Sequence, residues 1–367
     1  MKKKMYVSFL LCQLIFFISS NNQTLLAQQP LKLTQQDHKE LVKKISNLLE
    51  ENYLFPEIGR EIGVYLQKKL HEQKYHAISN PKIFARQITS DLQQINHDKH
   101  LSLVYDPQRV KDLRTEESQP SEEELREIEQ RRIEKRRRNN FGFRKVEILE
   151  GNVGYLDLRS FRSTDYAAST ALGALSFLSN SDAIIIDLRD NYGGGASMYL
   201  LLISYFFDSK MVHLSDLINR KLKSTQQFWT LPFIPGKRLP DVDLFILTSE
   251  RTFSAAEEFT YDLQSLERAV VVGESTGGGA HLTTRMVVDD NFYMFIPFAG
   301  SRNPITNTNW EGVGIQPDIE VAEVDALKTA HLLALKALIN KTNDENWKKE
   351  LASLIAKMEI ERRMSRN

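Results

Sequence analysis

Three short apolar runs, each ending in a turn, constrain the fold of this chain more than any other feature of its sequence. They occupy residues 183–188, 244–248 and 269–273. Continuous apolar runs of this length are typical of strands that are buried on both faces of a sheet. A helical pattern follows the first run and another follows the second. Strands that alternate with helices in this way predict an α/β domain, which we place at residues 140–323.

Helical patterns flank this domain on both sides. Apolar residues recur at helical spacing between residues 34 and 96, and Asn80 followed by Pro81 is a typical helix start. We therefore predict a small helical bundle over residues 28–96. A similar pattern predicts C-terminal helices over residues 324–367.

Residues 97–139 connect the bundle to the α/β domain. Their first part alternates like a strand as far as Tyr105, with His100 near its start. Residues 108–140 then contain almost no apolar side chains and have an acidic half followed by a basic half. This composition predicts a solvated helix with internal ion pairs or a flexible linker. A patch that binds nucleic acid or an acidic surface is the alternative, and the acidic half argues against it.

The first residues of the chain predict export. Three lysines follow the initiating methionine, residues 5–18 are nearly all apolar, and small or polar residues continue to Ala27. This is the pattern of a secretory signal peptide, which we place at residues 1–27, and it is too short for a comfortable membrane span. We expect a periplasmic or extracellular protein, and we leave attachment to the envelope open.

The overall composition is that of an ordinary soluble globular protein. The chain has 41% hydrophobic and 26% charged residues, and its formal net charge is zero. Nothing in this balance indicates a nucleic-acid or membrane partner. The single cysteine, Cys12, lies in the predicted signal peptide, so the mature chain would have neither disulfides nor thiol chemistry.

Ser254 lies where the second apolar run gives way to a helix. A serine on such a turn holds its hydroxyl near the first N–H groups of the helix, which have no acceptor within the helix, and this position suits a nucleophile. The spacing of Ser254 and Glu257 also predicts a capping box, which needs no chemistry. The turn alone does not decide between these two interpretations.

The glycines after the first apolar run, at residues 193–195, do not have the spacing of a dinucleotide fingerprint or of a phosphate loop. Their N–H groups can instead approach a substrate closely and stabilise a developing oxyanion. The eight histidines are scattered without paired spacing, so we expect neither a metal ion nor a cofactor.

Several motifs together resemble the C-terminal processing, or tail-specific, serine proteases. Residues 187–194 are similar to the family's DLRxNxGG motif, residues 253–257 to its nucleophile turn and residues 272–278 to its VGExTxG motif. Three further stretches resemble the branch that includes interphotoreceptor retinoid-binding protein and the tricorn core protease, namely residues 140–143, 154–156 and 310–318. The resemblance implies a crotonase-like core with a mixed sheet and Ser254 as the nucleophile.

The catalytic base departs from the pattern of the tail-specific proteases. In those enzymes a lysine downstream of the serine deprotonates it, but Gly279 stands at the matching position here, which excludes a Ser–Lys dyad. The tricorn-like branch resembles a Ser–His–Glu system, and His100 and Glu311 stand in the corresponding places. The resemblance implies that His100 accepts the Ser254 proton, while Glu311 orients the imidazolium directly or through a relay.

Other residues offer alternatives to this assignment. His281, in the glycine-rich loop after the third run, is the alternative base. Asp98 is an alternative orienting group, because Lys99 stands where the tricorn core has a serine in its relay. Many relatives also carry a PDZ domain between the helical region and the core. Residues 97–139 are too few for such a domain, so we expect none.

We therefore expect an exported serine peptidase that cleaves polypeptides through an acyl-enzyme. The resemblance implies an oxyanion hole made of the Ala255 N–H and the N–H of Gly193 or Gly194. The expected partner is a polypeptide substrate, and a homo-oligomer is left open. Two other functional classes remain: a non-catalytic carrier of an apolar ligand, as among the retinoid-binding relatives, and a scaffold protein that acts through its charged segment.

Overall fold

The computed structural model describes residues 31–118, 120–219 and 222–364 of the chain. The predicted signal peptide lies outside these residues. Within them, no helix combines the length and the apolar character that crossing a bilayer would require.

The described residues form ten α-helices, a 3₁₀ turn and eleven strands. The helices are α1 (Gln35–Asn52), α2 (Pro56–His71), α3 (Pro81–Asn96), α4 (Pro107–Glu117), α5 (Glu122–Arg137), α6 (Thr164–Leu178), α7 (Ala196–Ser204), α8 (Ala255–Ser265), α9 (Glu323–Lys341) and α10 (Glu345–Met364). The strands are β1 (Ser102–Tyr105), β2 (Phe143–Leu149), β3 (Val153–Leu158), β4 (Ala183–Asp187), β5 (His213–Asn219), β6 (Ser224–Trp229), β7 (Asp243–Thr248), β8 (Val270–Gly273), β9 (His281–Val287), β10 (Phe292–Arg302) and β11 (Ile319–Glu320).

The apolar runs form the centre of a mixed six-stranded sheet with the order β11-β8-β7-β4-β3-β2. Strands β3, β4, β7, β8 and β11 are parallel, and β2 is antiparallel to β3. In β4, Ile184 and Ile186 pack in a core with α6, α7 and α8, whereas Ala183 and Ile185 pack in a second core with α9 and α10. The run is continuously apolar because both of its faces are buried.

Parallel strands bring the segments that follow them to one edge of this sheet. The carboxyl ends of β3, β4, β7 and β8 lead into residues 159–162, 188–195, 249–254 and 274–280. In open α/β sheets, this edge is where ligands and catalytic groups lie. The glycine turn and the serine turn of the sequence therefore meet there.

An antiparallel five-stranded sheet with the order β1-β10-β5-β6, and with β9 also paired to β10, lies beside the first. Its residues Phe292 and Met294 share an apolar cluster with α1, α2 and α3. The N-terminal helices thus pack directly on this sheet. No sequence pattern predicted the β5–β6 hairpin, because the first four residues of β6 are polar and exposed.

The charged segment is helical and contains the ion pairs that one of its two predicted forms requires. Arg131 lies 2.9 Å from Asp112, and both Arg109 and Arg132 contact Glu116. The pairs of Arg131 and Arg132 link α5 to α4, whereas the pair of Arg109 lies within α4. The segment also borders a cavity, which is described below.

We predict that Leu335→Ala lowers the free energy of unfolding by about 2–5 kcal/mol, because it leaves a void in the core beneath the sheet. Leu335 is fully buried on α9, while Val324, near the start of the same helix, is 83% exposed. The matched substitution Val324→Ala should change the value by less than about 0.5 kcal/mol. Urea unfolding followed by circular dichroism measures both, and equal effects would contradict the placement of α9.

Candidate active site

Ser254 lies at the start of α8 with φ 57° and ψ −123°. A residue with a Cβ seldom adopts this conformation, and such outliers concentrate at functional sites because the surrounding structure must hold them in place. The strain is therefore the first structural observation that separates this serine from an ordinary helix cap.

Glu257 holds the turn in this conformation. Its Oε2 accepts the N–H groups of Ser254 at 2.9 Å and of Gly279 at 2.8 Å. Its Oε1 accepts the Gly278 N–H at 2.7 Å and the Thr276 hydroxyl. Burial raises the pKa of Glu257. The predicted capping contact to the Ser254 N–H is present, but the same carboxylate also ties the serine turn to the glycine-rich loop.

The glycine turn after β4 packs against the serine turn. A Cβ on Gly193 would lie 2.8 Å from Ser254 Cβ and 2.9 Å from Ala255 N, and a Cβ on Gly194 would overlap the carbonyl of Phe161. Only glycine permits this approach. The two turns are thus in direct contact.

The N–H groups of the two turns differ in what they bind. The Gly193 N–H donates to Asn191 Oδ1 at 2.8 Å. Within the described part of the chain, the N–H groups of Gly194 and Ala255 have no acceptor. Both residues line the same cavity as Ser254. Two unpaired donors beside a serine can stabilise an oxyanion.

A cavity of about 140 Å³ opens beside Ser254. Most of the other side chains that line it are apolar. The large ones are Tyr199, Leu217, Phe228, Leu282 and Trp310. We call this cavity the Ser254 pocket. Its size and lining suit one apolar side chain of a ligand rather than a whole ligand, since sites for drug-sized molecules are usually about 300–1,000 Å³.

His281 also lines the Ser254 pocket and has two acidic neighbours. Its Nδ1 lies 2.8 Å from Asp98 Oδ2 and 3.5 Å from Glu311 Oε2. Burial alone lowers the pKa of His281, but the bond to Asp98 and the charges of both carboxyl groups outweigh it and raise the pKa above the usual range. The Tyr53 hydroxyl, from the N-terminal region, also donates to Asp98 at 2.8 Å.

His100 occupies a different environment behind the serine turn. Its ring centroid lies 4.5 Å from that of Phe253, and a Cβ on Gly279 would lie 2.5 Å from its Cε1. Neither ring nitrogen has a hydrogen-bond partner among the residues that the structure describes, and Nδ1 is 3.9 Å from Asp98 Oδ1. Burial lowers the pKa of His100 to about 4.

Glu311 lies near His281 and has no hydrogen bond to His100. Its Oε2 accepts the Ala280 N–H at 2.6 Å. Burial raises the pKa of Glu311 to about 7, so this carboxyl group changes charge near neutral pH. Glu311, which the sequence analysis expects to orient His100, thus lies beside His281, the alternative base.

One donor set among the described residues can hold a metal ion. Ligand atoms of Asp98, His281 and Glu311 lie within 4.8 Å of one another, and these atom types suit a divalent transition metal. The expectation that the protein needs no metal stays a prediction, which treatment with a chelator would test.

The structure gathers the residues of the sequence hypothesis around the serine turn and the glycine-rich loop, but it arranges the acids in a way that the sequence did not reveal. Asp98 and His281 are 183 positions apart in the chain, and no local pattern predicts their contact. The clamp by Glu257 was visible only as a capping signal. Trp310 donates its Nε1–H to Gly279 O at 2.9 Å. In the sequence, this residue was notable only as part of the motif at residues 310–318.

We predict that Ser254→Gly is more stable than Ser254→Ala by about 1–2 kcal/mol. Both remove the hydroxyl, and only glycine relieves the positive φ, at some entropic cost. At Ser46, in the interior of α1, the same pair should show the opposite order by about 1 kcal/mol. Chemical denaturation measures all four variants, and the same order at both positions would show that the serine turn is not strained.

Comparisons with known proteins place the chain in a family. Residues 152–321 match the family that is described as "Peptidase family S41". Residues 23–141 match a second family, which is described as the N-terminal domain of peptidase S41 in eukaryotic IRBP. The two matches together cover most of the chain.

Curated relatives match over part of their length. A probable CtpA-like serine protease of Staphylococcus epidermidis is 27% identical over 51% of this chain and 37% of its own. A carboxyl-terminal-processing protease of Picosynechococcus is 27% identical over 45% of this chain and 38% of its own. The matched region thus spans less than half of either relative.

Solved structures support the fold. A lipoprotein from Streptococcus agalactiae has a TM-score of 0.53 at 14% identity, over 82% of this chain and 96% of that one. A protein from Parabacteroides merdae, solved as a candidate peptidase, has a TM-score of 0.55 at 17% identity over 83% and 97% of the two chains. With its α/β fold, mixed sheet and N-terminal helical region, the chain belongs to peptidase family S41, whose domain lies at residues 152–321.

Proposed function

We propose that the protein is a serine peptidase that hydrolyses polypeptides through an acyl-enzyme on Ser254. The observation that carries the proposal is the strained turn of Ser254, which faces a pocket beside the unpaired N–H groups of Ala255 and Gly194. A helix cap needs neither the strain nor free donors on its other side. A nucleophile with an oxyanion hole requires both an exposed hydroxyl and such donors.

The proposed reaction uses the groups around this turn. Ser254 Oγ attacks the scissile carbonyl carbon, and the Ala255 and Gly194 N–H groups stabilise the tetrahedral oxyanion. The base accepts the serine proton and then protonates the leaving amine. A water molecule, deprotonated by the same base, hydrolyses the ester and releases Ser254. Gly193 is the less suitable donor, because Asn191 already binds its N–H.

We propose His100 as the base. It contacts the serine turn through Phe253, it is neutral at pH 7, and no described residue forms a hydrogen bond with either of its ring nitrogens. The acids around His281 instead favour its protonated form, which accepts a proton poorly. The contact with Asp98 makes His281 the second candidate, since a base is commonly oriented by a carboxylate. In this proposal Glu311 acts on either histidine only as part of the cluster that it forms with Asp98 and His281.

The small Ser254 pocket supports a peptidase over a carrier of an apolar ligand. A volume of about 140 Å³ fits the side chain next to the scissile bond, and its apolar lining favours an apolar residue there. A carrier would need a cavity that surrounds most of its ligand. The carrier hypothesis would regain support if the protein bound apolar ligands and hydrolysed nothing.

We keep the finer assignments of the sequence analysis as proposals. The basic start and the apolar stretch that follows it support export. Parallel strands β3, β4, β7 and β8 with intervening helices support a crotonase-like core. Helices α4 and α5 occupy the segment in which other members carry a PDZ domain, which supports the absence of that domain there.

We predict that Ser254→Ala lowers the hydrolysis of an unfolded protein such as β-casein by about 10⁴-fold or more, to the background rate. Ser275→Ala is the matched control, because Ser275 lies on the neighbouring loop and binds Gln316; it should retain activity within about threefold. Release of amino groups measures the rate, with and without EDTA. Activity in Ser254→Ala would refute the nucleophile, and loss with EDTA would show a metal requirement.

We predict that kcat/KM stays near its maximum down to about pH 5. The base acts deprotonated, so the rate falls as the pH falls through its pKa, and that of His100 is about 4. If His281 were the base, its raised pKa would make the rate fall already at a pH above the pKa of an ordinary imidazole, which is about 6.5. His100→Gln and His281→Gln test the same point at pH 8. Loss of activity only in His281→Gln, with an acid limb near neutral pH, would reassign the base.

A further inference from the structure

A second cavity lies between the charged helices α4 and α5, the ends of β2 and β3, and the β9–β10 hairpin. Its volume is about 730 Å³. Eight of the described side chains that line it are Lys or Arg, and Asp106 is the one acidic side chain among them. We call it the basic cavity. The catalytic proposal makes no use of it.

Carboxylates inside the protein neutralise only part of this charge. Arg109 and Arg132 share Glu116, and Arg159 pairs with Asp157. The other five cationic side chains make no ion pair with any residue that the structure describes; they are Lys135, Arg136, Arg144, Arg162 and Arg285.

Three of these five have defined contacts, and Arg136 is held by the hydroxyl and the ring of Tyr166. The Arg285 guanidinium lies over the Phe295 ring at 5.0 Å from its centroid. Arg162 is partly buried, and burial together with the Arg136 charge lowers its pKa. The charges of Arg136 and Arg162 repel one another, so an anion in the cavity would relieve the repulsion and gain charge-assisted hydrogen bonds.

The basic cavity is connected to the active site by the segment that follows β3. Arg159 and Arg162 line the cavity. Phe161, between them, donates its N–H to Gly193 O at 3.0 Å and accepts the Gly195 N–H at 2.7 Å. The segment that carries the two arginines is therefore bonded to the glycine turn beside Ser254.

Strand β9 provides a second connection. His281 lines the Ser254 pocket and Arg285 lines the basic cavity. Residues at these two positions face the same side of a strand, and they are about 13 Å apart along it. An extended polypeptide covers that distance with about four residues.

We propose that the basic cavity binds an acidic segment of the polypeptide substrate, about four to six residues from the bond that Ser254 attacks. The proposal rests on the peptidase function proposed above. Carboxylate side chains of the substrate would pair with Arg162, Arg285 and their unpaired neighbours, because guanidinium groups bind carboxylates with two parallel hydrogen bonds. The volume admits several side chains at once.

The test uses the full chain with Ser254→Ala, so that binding is measured without cleavage. Two fluorescein-labelled unstructured peptides differ only in a triplet, Asp-Glu-Asp or Asn-Gln-Asn, placed five residues from a central apolar residue. We expect the acidic peptide to bind at least about tenfold more tightly by fluorescence anisotropy. The difference should shrink in 0.5 M NaCl, because salt screens the charges.

Charge variants localise the effect. Arg162→Gln/Arg285→Gln should abolish the tenfold preference. Arg126→Gln/Arg138→Gln removes the same charge from exposed positions outside the cavity and should leave the preference intact. Thermal unfolding checks folding, and if the first variant is unfolded, Arg162→Lys/Arg285→Lys replaces it and should reduce the preference about threefold or more.

An equal preference in the parent and in the cavity variants would overturn the proposal. So would tight binding of tripolyphosphate in the cavity without any preference for the acidic peptide, which would indicate a small-anion site. Binding does not depend on Ser254 chemistry, so the two proposals fail separately. A preference that needs Arg162 and Arg285, together with no hydrolysis by the unmodified protein, would refute the peptidase and keep the site for acidic peptides.

Discussion

The buried carboxylate of Glu257 is the interaction on which the arrangement of the candidate site depends. It accepts hydrogen bonds from the serine turn and from three groups of the glycine-rich loop. Without it, buried N–H groups would lose their acceptor, which costs about 1–3 kcal/mol for each group left unsatisfied. The same loop leads into His281, so one side chain joins the strained serine turn to the segment that carries this histidine.

The two sheets contribute different parts of this site. The parallel strands bring the serine and glycine turns to one edge, where free N–H groups accumulate. The connection between α3 and β1 supplies Asp98 and His100, and strand β9 of the antiparallel sheet supplies His281. The family domain alone would therefore contain the proposed nucleophile and oxyanion hole but neither His100 nor Asp98. This division gives a physical reason for the packing of the N-terminal helices on the antiparallel sheet.

The sequence predicted the parts of the fold that depend on local pattern. The apolar run at residues 183–188 indicated a strand buried on both faces, and the structure shows one core on each face of β4. Asn80 indicated the start of α3. The contact of Asp98 with His281 could not be predicted, because it joins distant parts of the chain through packing. The polar residues of β6 likewise carry no alternation, since neighbouring strands rather than burial determine their conformation. The only sequence feature that indicated the basic cavity was the charge of the segment at residues 108–140, which lines part of it.

The central claim is that Ser254 is a nucleophile, and covalent modification tests it most directly. The protein is incubated with a fluorophosphonate at pH 8, digested, and mapped by peptide mass spectrometry. We expect one phosphonyl group on the peptide that contains Ser254, and slower modification in His100→Gln. An unmodified Ser254 in folded protein would show that this serine is not a nucleophile, and so would modification at another serine that persists in Ser254→Ala.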